Sequence, residues 1–456
     1  MLITLLLAAA TYPSVLIDGI THVEQRPDFC GEACAEMALK RLGIDITQDQ
    51  VFTLSGVDPL KGRGLVTDEL ARTLTGLGFD VGRVWNRVNP ANADVELEAQ
   101  WRALHADLRA GVPSIICGWS SFGPERSEHM RLVVGYDAKA DEVLFHEPAQ
   151  SAATLGRLKR PDFMALWTFK PKKDRWTLIR MALRRRADAP APVLPKDTSA
   201  ADLAQHVYAL KEKAPKGVTV VRAGAFMVIG DETPELVKKR AKEQVQWTTD
   251  LLKKDFFDAD PDGLTDVWVF KDKTSYEKNA KALFGETPET PYGFYLPGRA
   301  AMVMNIKPGY GTLVHELVHP YVAKNCPTCP SWFNEGLASL FERPREKDGH
   351  LIGLPNWRLP ALKEALRADQ VPTFEKLLSL SDDQFYADER GTSYAQARYL
   401  CYWLQEHGLL TKLVRGMQAR GADDPSGYGV LEALVGPDME KFQRQWAKDT
   451  LAIDYR

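Results

Sequence analysis

Two histidines four residues apart, with a glutamate after the first, constrain this chain more than any other feature: Thr312-Leu-Val-His315-Glu316-Leu-Val-His319. Residues four apart share one face of a helix, so both imidazoles reach a single ion. Zinc takes imidazole nitrogen at about 2.0–2.1 Å in tetrahedral geometry. Glu316 stands one residue round the turn from His315, where a carboxylate beside the ion serves as general base for water. Leu313, Val314, Leu317 and Val318 fill the remaining faces, as a buried helix requires. A third ligand is expected from a neighbouring helix. Pro330-Ser-Trp-Phe-Asn-Glu335-Gly-Leu-Ala-Ser-Leu-Phe341 supplies Glu335, with Gly336 and Ala338 small enough for close approach to the first helix. Two histidines and one carboxylate leave the fourth position open, the pattern of a catalytic rather than a structural zinc.

The 456 residues suggest two or three domains, with 45% hydrophobic and 26% charged residues as in ordinary globular proteins. A formal net charge of -3 gives no basic excess for nucleic acid. The opening run Met1-Leu-Ile-Thr-Leu-Leu-Leu-Ala-Ala-Ala10 is apolar and ends in small residues. It reads as a signal segment over residues 1–13, which implies a secreted or periplasmic protein. The alternative is a buried N-terminal strand. The run is too short to span a bilayer, and no later segment is long and apolar enough.

The fold class expected is α+β in two domains, the second largely helical towards its end. The first covers residues 14–170. It has a helix from Cys30 to about Leu42 and strands over Val112–Gly118, Arg131–Tyr136 and Val143–Phe145. Residues 171–202 read as a basic helix ending in Arg184-Arg-Arg186, taken as a solvated helix end, followed by a Pro/Ala spacer over Ala187–Pro195. The second domain covers 203–456. It opens with strands over Val218–Val221 and Ala225–Ile229, a long amphipathic helix over Glu232–Lys253 and a strand over Leu264–Phe270.

The first domain carries its own chemistry-bearing pattern. Cys30 starts a helix, where the helix N-terminus favours a thiolate. Gln25 lies just upstream, with an amide suited to an oxyanion. His129 enters the strand Arg131-Leu-Val-Val-Gly-Tyr136, and Glu147-Pro148 follows a further strand. The bland alternative makes Cys30 and Cys34 buried small residues and His129 a satisfied strand-end histidine. In the second domain, Cys326-Pro-Thr-Cys329 lies between the two ligand-bearing helices. A CxxC pair can mark zinc or redox chemistry. With no second pair and no thioredoxin-like context, a local disulfide pinning the loop is the reading preferred.

Trp332-Phe-Asn-Glu335-Gly-Leu-Ala338 after the His-Glu-x-x-His motif resembles the gluzincin metallopeptidases, with a shorter spacer than the thermolysin and aminopeptidase groups. That resemblance implies a zincin-like domain holding Zn2+ and a peptide or protein substrate. It implies that Gly293–Pro297 and Ala300–Asn305 form a peptide-binding edge strand. It also implies that Tyr394, in Thr392-Ser-Tyr394-Ala-Gln-Ala-Arg-Tyr399, donates to an oxyanion. The alternative for Tyr394 is a core aromatic beside Tyr399 and Tyr402. The order Gln25, Cys30-Gly31, His129 before Val-Val-Gly-Tyr, and Glu147-Pro148 resembles the papain-like peptidases of the bacteriocin-processing family. The family has Asp where this chain has Glu147. Carried over, Gln25 is the oxyanion donor, Cys30 the nucleophile, His129 the base and Glu147 its orienting partner. Taken together, an exported peptidase with two amide-cleaving modules is expected. The alternatives are that only the zinc domain is catalytic while the first domain binds peptide, or that both sites are inactive and the chain is a peptide-binding or assembly factor.

Overall fold

Short antiparallel strands and helices build the first half, and apolar strands alternating with helices build the second. The computed structural model describes residues 12–172, 175–388, 390–420 and 423–455. All but the last two residues of the expected signal segment lie outside them. The chain divides into two units, Met1–Glu212 and Lys213–Arg456.

The first unit is organised around an eight-stranded sheet. Its strands are β1 (Val15–Leu16), β2 (Trp85–Val88), β3 (Ser114–Trp119), β4 (Glu128–Asp137), β5 (Glu142–His146), β6 (Gly156–Lys159), β7 (Thr168–Lys172) and β8 (Arg175–Ala182). The order is β2–β8–β3–β4–β5–β6, with β1 also paired to β4 and β7 to β8, and every pairing is antiparallel. The helix α1 (Cys30–Arg41) packs on β4 and ends two residues before Gly43, whose φ of 77° suits a glycine. Phe29 is wholly buried and stacks on Phe52, which pins the start of α1.

Three expectations fail near the end of the first unit. The stretch expected as a basic helix is β8, an interior strand between β2 and β3. A short apolar run such as Trp176–Ala182 does not distinguish helix from buried strand by periodicity alone. The arginine run after it is not a solvated helix end either: Arg184 pairs with the buried carboxylate of Asp107 at 2.6 Å, as Arg180 within β8 does at 3.0 Å. Nor is the Pro/Ala stretch a free spacer. Arg185 donates to the Pro190 carbonyl at 2.7 Å, and Gln50 donates to the Pro195 carbonyl at 2.8 Å. The next helix, α2 (Ser199–Lys213), buries Ala201 and Ala204 in the core of the first unit. The division therefore falls between Glu212 and Lys213 rather than at residue 203.

The second unit holds a five-stranded sheet of β9 (Thr219–Ala223), β10 (Phe226–Gly230), β11 (Thr265–Phe270), β12 (Gly293–Leu296) and β13 (Ala301–Asn305). The order is β9–β10–β11–β13–β12. The central β10, β11 and β13 run parallel and are buried at every residue, as parallel strands covered on both faces are. The expected long helix after β10 is present in three pieces: helices Pro234–Arg240 and Trp247–Asp255, joined by π-helical Ala241–Gln246. Helices dominate from α3 (Gly311–Asn325) and α4 (Ser331–Leu340) onward. No helix among the described residues is long and apolar enough to cross a membrane.

The placement of α2 has a direct test. A first-unit fragment ending at residue 198 should melt below one ending at residue 212, by roughly 2–4 °C for each kcal/mol of packing lost. Equal melting temperatures would show that α2 does not belong to this core.

Candidate functional site

In the second unit, α3 presents its apolar residues inward, with Leu313, Val314, Leu317 and Val318 fully buried. His315 and Glu316 line a cleft on the other side, and His319 shares the helix face of His315, as the four-residue spacing requires. Glu335 comes from α4, nine of whose ten residues are buried. Trp332, Phe333 and Leu337 anchor this helix, each contributing about 1.5–3 kcal/mol by burial. The wholly buried Arg398 completes the anchoring. It donates to the carbonyls of Ser339 and Leu340 at 2.8 and 3.2 Å, capping the end of α4 with positive charge. Gly336 does not serve the approach to α3 that its size suggested. A Cβ there would lie 3.0 Å from the Ala397 carbonyl, so its smallness admits the later helix Thr392–Glu406 instead.

These helices bring ligand atoms of His315, His319 and Glu335 within 4.8 Å of one another. Nε2 of His315 lies 3.3 Å from Glu335 Oε2, and Nε2 of His319 lies 4.0 Å from Glu335 Oε1. Ligands of a tetrahedral zinc stand about 3.3–3.5 Å apart, so the donor set fits the ion. Glu335 Oε2 is buried without a hydrogen-bond donor, an atom that asks for a cation. Without an ion, the burial of His315 opposes its protonation, but Glu335, Glu316 and Glu342 outweigh that and raise its pKa. Burial likewise opposes the charge on Glu335, and His315 and His319 hold its carboxyl well below the usual range. Glu316 Oε2 lies 3.8 Å from His319 Nε2.

Around this centre stand further groups, of which the sequence had singled out Tyr394. Asn334 Oδ1 lies 3.0 Å from His319 Nδ1, which directs the other nitrogen to the centre. Glu342 lies 3.6 Å from His315 Nδ1 and is paired with Arg358 at 2.8 Å. The Tyr386 hydroxyl donates to Glu335 Oε1 at 2.8 Å. Tyr394 lines the cleft with His315 and Glu316, and burial raises its pKa, with Glu335 and Tyr386 adding to the effect. The cleft has a volume of about 630 Å³ and is bordered by Tyr292, Gly293, Trp357 and Arg358. Gly293 begins β12, which ends the sheet as an edge strand beside β13; Ala301–Asn305, expected at the edge, is the interior strand β13.

In the first unit, Cys30 is the first residue of α1 and His129 the second of β4. Both line a cavity of about 350 Å³ with Asp28, Asp68, Trp85 and Glu128. Gly31 after the cysteine has a steric reason, since a Cβ there would meet Leu70 and Met130 at 2.7 and 2.8 Å. Glu147 follows β5 and joins its Oε1 to His129 Nε2. Its Oε2 accepts from Arg131 Nε at 2.7 Å. Arg131 also donates to the carbonyls of Trp119 and Ser120, at 3.1 and 2.9 Å, so it is rigidly held. Arg131 lies two residues from His129 and therefore on the same strand face, a spacing that was available in the sequence. Burial opposes the charge on Glu147, but His129 and Arg131 prevail and lower its pKa. Gln25 is fixed by its backbone N–H to the Pro148 carbonyl at 2.8 Å, and its Oε1 is buried without a partner.

One expectation is reversed. Burial pushes the Cys30 thiol up to about 12, with Glu32 and Asp28 adding to the shift, against the lowering expected at a helix start. Glu32 is itself fully buried, accepts from the Leu65 N–H at 2.8 Å and is pushed up to about 8 by its burial. Desolvation and two acidic neighbours outweigh the half-charge of a helix terminus.

A family model described as the Peptidase_C39 like family matches residues 17–179. That span includes Gln25, Cys30, His129 and Glu147, and it makes the first unit a Peptidase_C39-like domain of the papain-like, bacteriocin-processing type. Among solved structures, the peptidase domain of Streptococcus ComA, described as a bi-functional ABC transporter involved in a quorum sensing pathway, is 16% identical. It covers 37% of this chain and 100% of that one, with a TM-score of 0.25, too low to carry an argument. No curated protein matches the chain.

The raised thiol has a measurable consequence. Thiolate is the reactive form, so alkylation of Cys30 should accelerate with pH through 8–10 without levelling off. A plateau below pH 7 would mean instead that His129 already holds the thiolate as an ion pair.

Proposed function

We propose that the chain is an exported peptidase whose principal hydrolytic centre is a zinc site in the second unit. The observation that carries this reading is the convergence of His315, His319 and Glu335 at a cleft lined by His315 and Glu316. Zinc bound there would act as a Lewis acid towards a peptide carbonyl and towards water. Glu316 takes the proton of the attacking water and passes it to the leaving amine. Tyr394, whose phenol stays protonated to high pH, donates to the oxyanion. Asn334 fixes the ring of His319, and Tyr386 fixes one oxygen of Glu335. The edge strand β12 offers its backbone to an extended peptide.

The Peptidase_C39-like domain is read as a second amide-cleaving module, with Cys30 as nucleophile, His129 as base, Glu147 orienting the imidazole and Gln25 at the oxyanion. A second reading, favoured by the upward shift of the Cys30 thiol, is that this domain holds peptide without cleaving it. Export is supported by the apolar N-terminal run and by the disulfide between Cys326 and Cys329, which belongs to an oxidising compartment.

Cleavage of a peptide library by wild type, Glu316→Gln and Cys30→Ala in parallel tests these roles, with zinc measured on each protein. Glu316→Gln should keep about one zinc per chain and lose roughly 10²–10⁴-fold in zinc-dependent cleavage. His315→Ala and Glu335→Ala should lose the metal. Zinc binding by Glu335→Ala as tight as in wild type would remove Glu335 from the ligand set. Unchanged cleavage patterns in Cys30→Ala would favour the peptide-holding reading of the first domain.

A further inference from the structure

Cys326 and Cys329 form a disulfide in the loop that joins α3 to α4. Cys326 caps the end of α3, and Pro330, next to Cys329, caps the start of α4. The two sulfurs are not equivalent, since Cys326 is buried and Cys329 is half-exposed. Arg420 lies against both, with Nη1 3.1 Å from Cys326 Sγ and 3.5 Å from Cys329 Sγ. The guanidinium is held there by neutral groups, donating to the carbonyls of Met417 and Thr328. Its Nε is buried without a partner. Among the described residues no carboxylate forms an ion pair with Arg420, and Asp424 acts on it only at longer range.

Arg420 is half-buried with no carboxylate in contact among the described residues, so its charge favours any anion that forms beside it. The nearest groups able to become anionic are the two sulfurs, and they do so only when the disulfide opens. We propose that Cys326–Cys329 is a thiol–disulfide exchange site, opened at Cys329 by a small dithiol or glutathione-like reductant, with Arg420 receiving the Cys326 thiolate.

The reductant's thiolate attacks Sγ of the accessible Cys329. A new S–S bond forms to Cys329, the Cys326–Cys329 bond breaks, and its electron pair leaves on Cys326 beside Arg420. A second thiol of the reductant then attacks the mixed disulfide and releases Cys329, which takes up the proton given up by that thiol. Two electrons pass in all, from the reductant to the protein disulfide. A leaving thiolate of lowered pKa departs faster, so the guanidinium speeds the first step. Attack at Cys326 is disfavoured twice, because that sulfur is buried and because Cys329, the thiolate it would release, lies farther from Arg420. The exchange chemistry is independent of the zinc reading.

The test is brief exposure of the full-length oxidised protein to reduced glutathione, with acid quenching and peptide mapping by mass spectrometry. Mapping separates this pair from the free cysteines Cys30, Cys34, Cys117 and Cys401. Glutathione should be found on Cys329, and Arg420→Gln should slow opening roughly tenfold, because the departing Cys326 thiolate loses the guanidinium 3.1 Å away. Glutathione on Cys326 in the wild type would overturn the proposal whatever the variant does. So would opening of a folded Arg420→Gln protein at the wild-type rate.

Discussion

A carboxylate buried between two imidazoles organises the second unit. Charge of this kind persists in an interior only where partners surround it. Glu335 has His315 and His319 on one side and the Tyr386 hydroxyl on another, yet one of its oxygens still lacks a donor. Much of the surrounding structure holds this residue in place. The aromatic anchors of α4 fix the helix, Arg398 caps its end, and Gly336 lets the helix Thr392–Glu406 close on it. A cation bound there would satisfy both the cluster of donors and the unpartnered oxygen.

The first unit uses the same device on a smaller scale. Glu147 stands where the resembled family has Asp, and its longer side chain is bridged by two partners rather than one. His129 takes one oxygen and Arg131 the other, with Arg131 itself tied to two backbone carbonyls. The extra methylene is therefore accommodated by a second partner, and the imidazole keeps its carboxylate. What this arrangement does not do is lower the Cys30 thiol, which burial pushes up, with Glu32 and Asp28 adding to the shift.

Local patterns were legible in the sequence. The four-residue spacing of His315 and His319 and the helix start at Cys30 are properties of single elements, and both appear as expected. Groups brought in by tertiary packing were not legible. Tyr386 reaches Glu335 from 51 residues away with no motif to announce it, and Arg358 finds Glu342 across a turn and a hairpin. The last part of the first unit was misread for a physical reason. Apolar residues in Trp176–Ala182 fit a helix face or a buried strand equally well, and only the pairing with Ser114–Cys117 decides. Composition also misled at Ala187–Pro195, where proline and alanine suggested a spacer and backbone carbonyls instead take hydrogen bonds from Arg185 and Gln50.

The zinc centre is the claim on which the functional reading turns, and X-ray absorption at the zinc edge on the purified full-length protein tests it most directly. The account expects about one zinc per chain, coordinated by two imidazole nitrogens and carboxylate or water oxygen at about 2.0–2.2 Å, with no sulfur. A shell containing sulfur at about 2.3 Å would move the metal to cysteines and contradict the account. Absence of zinc from protein purified without chelators and offered the metal would do the same.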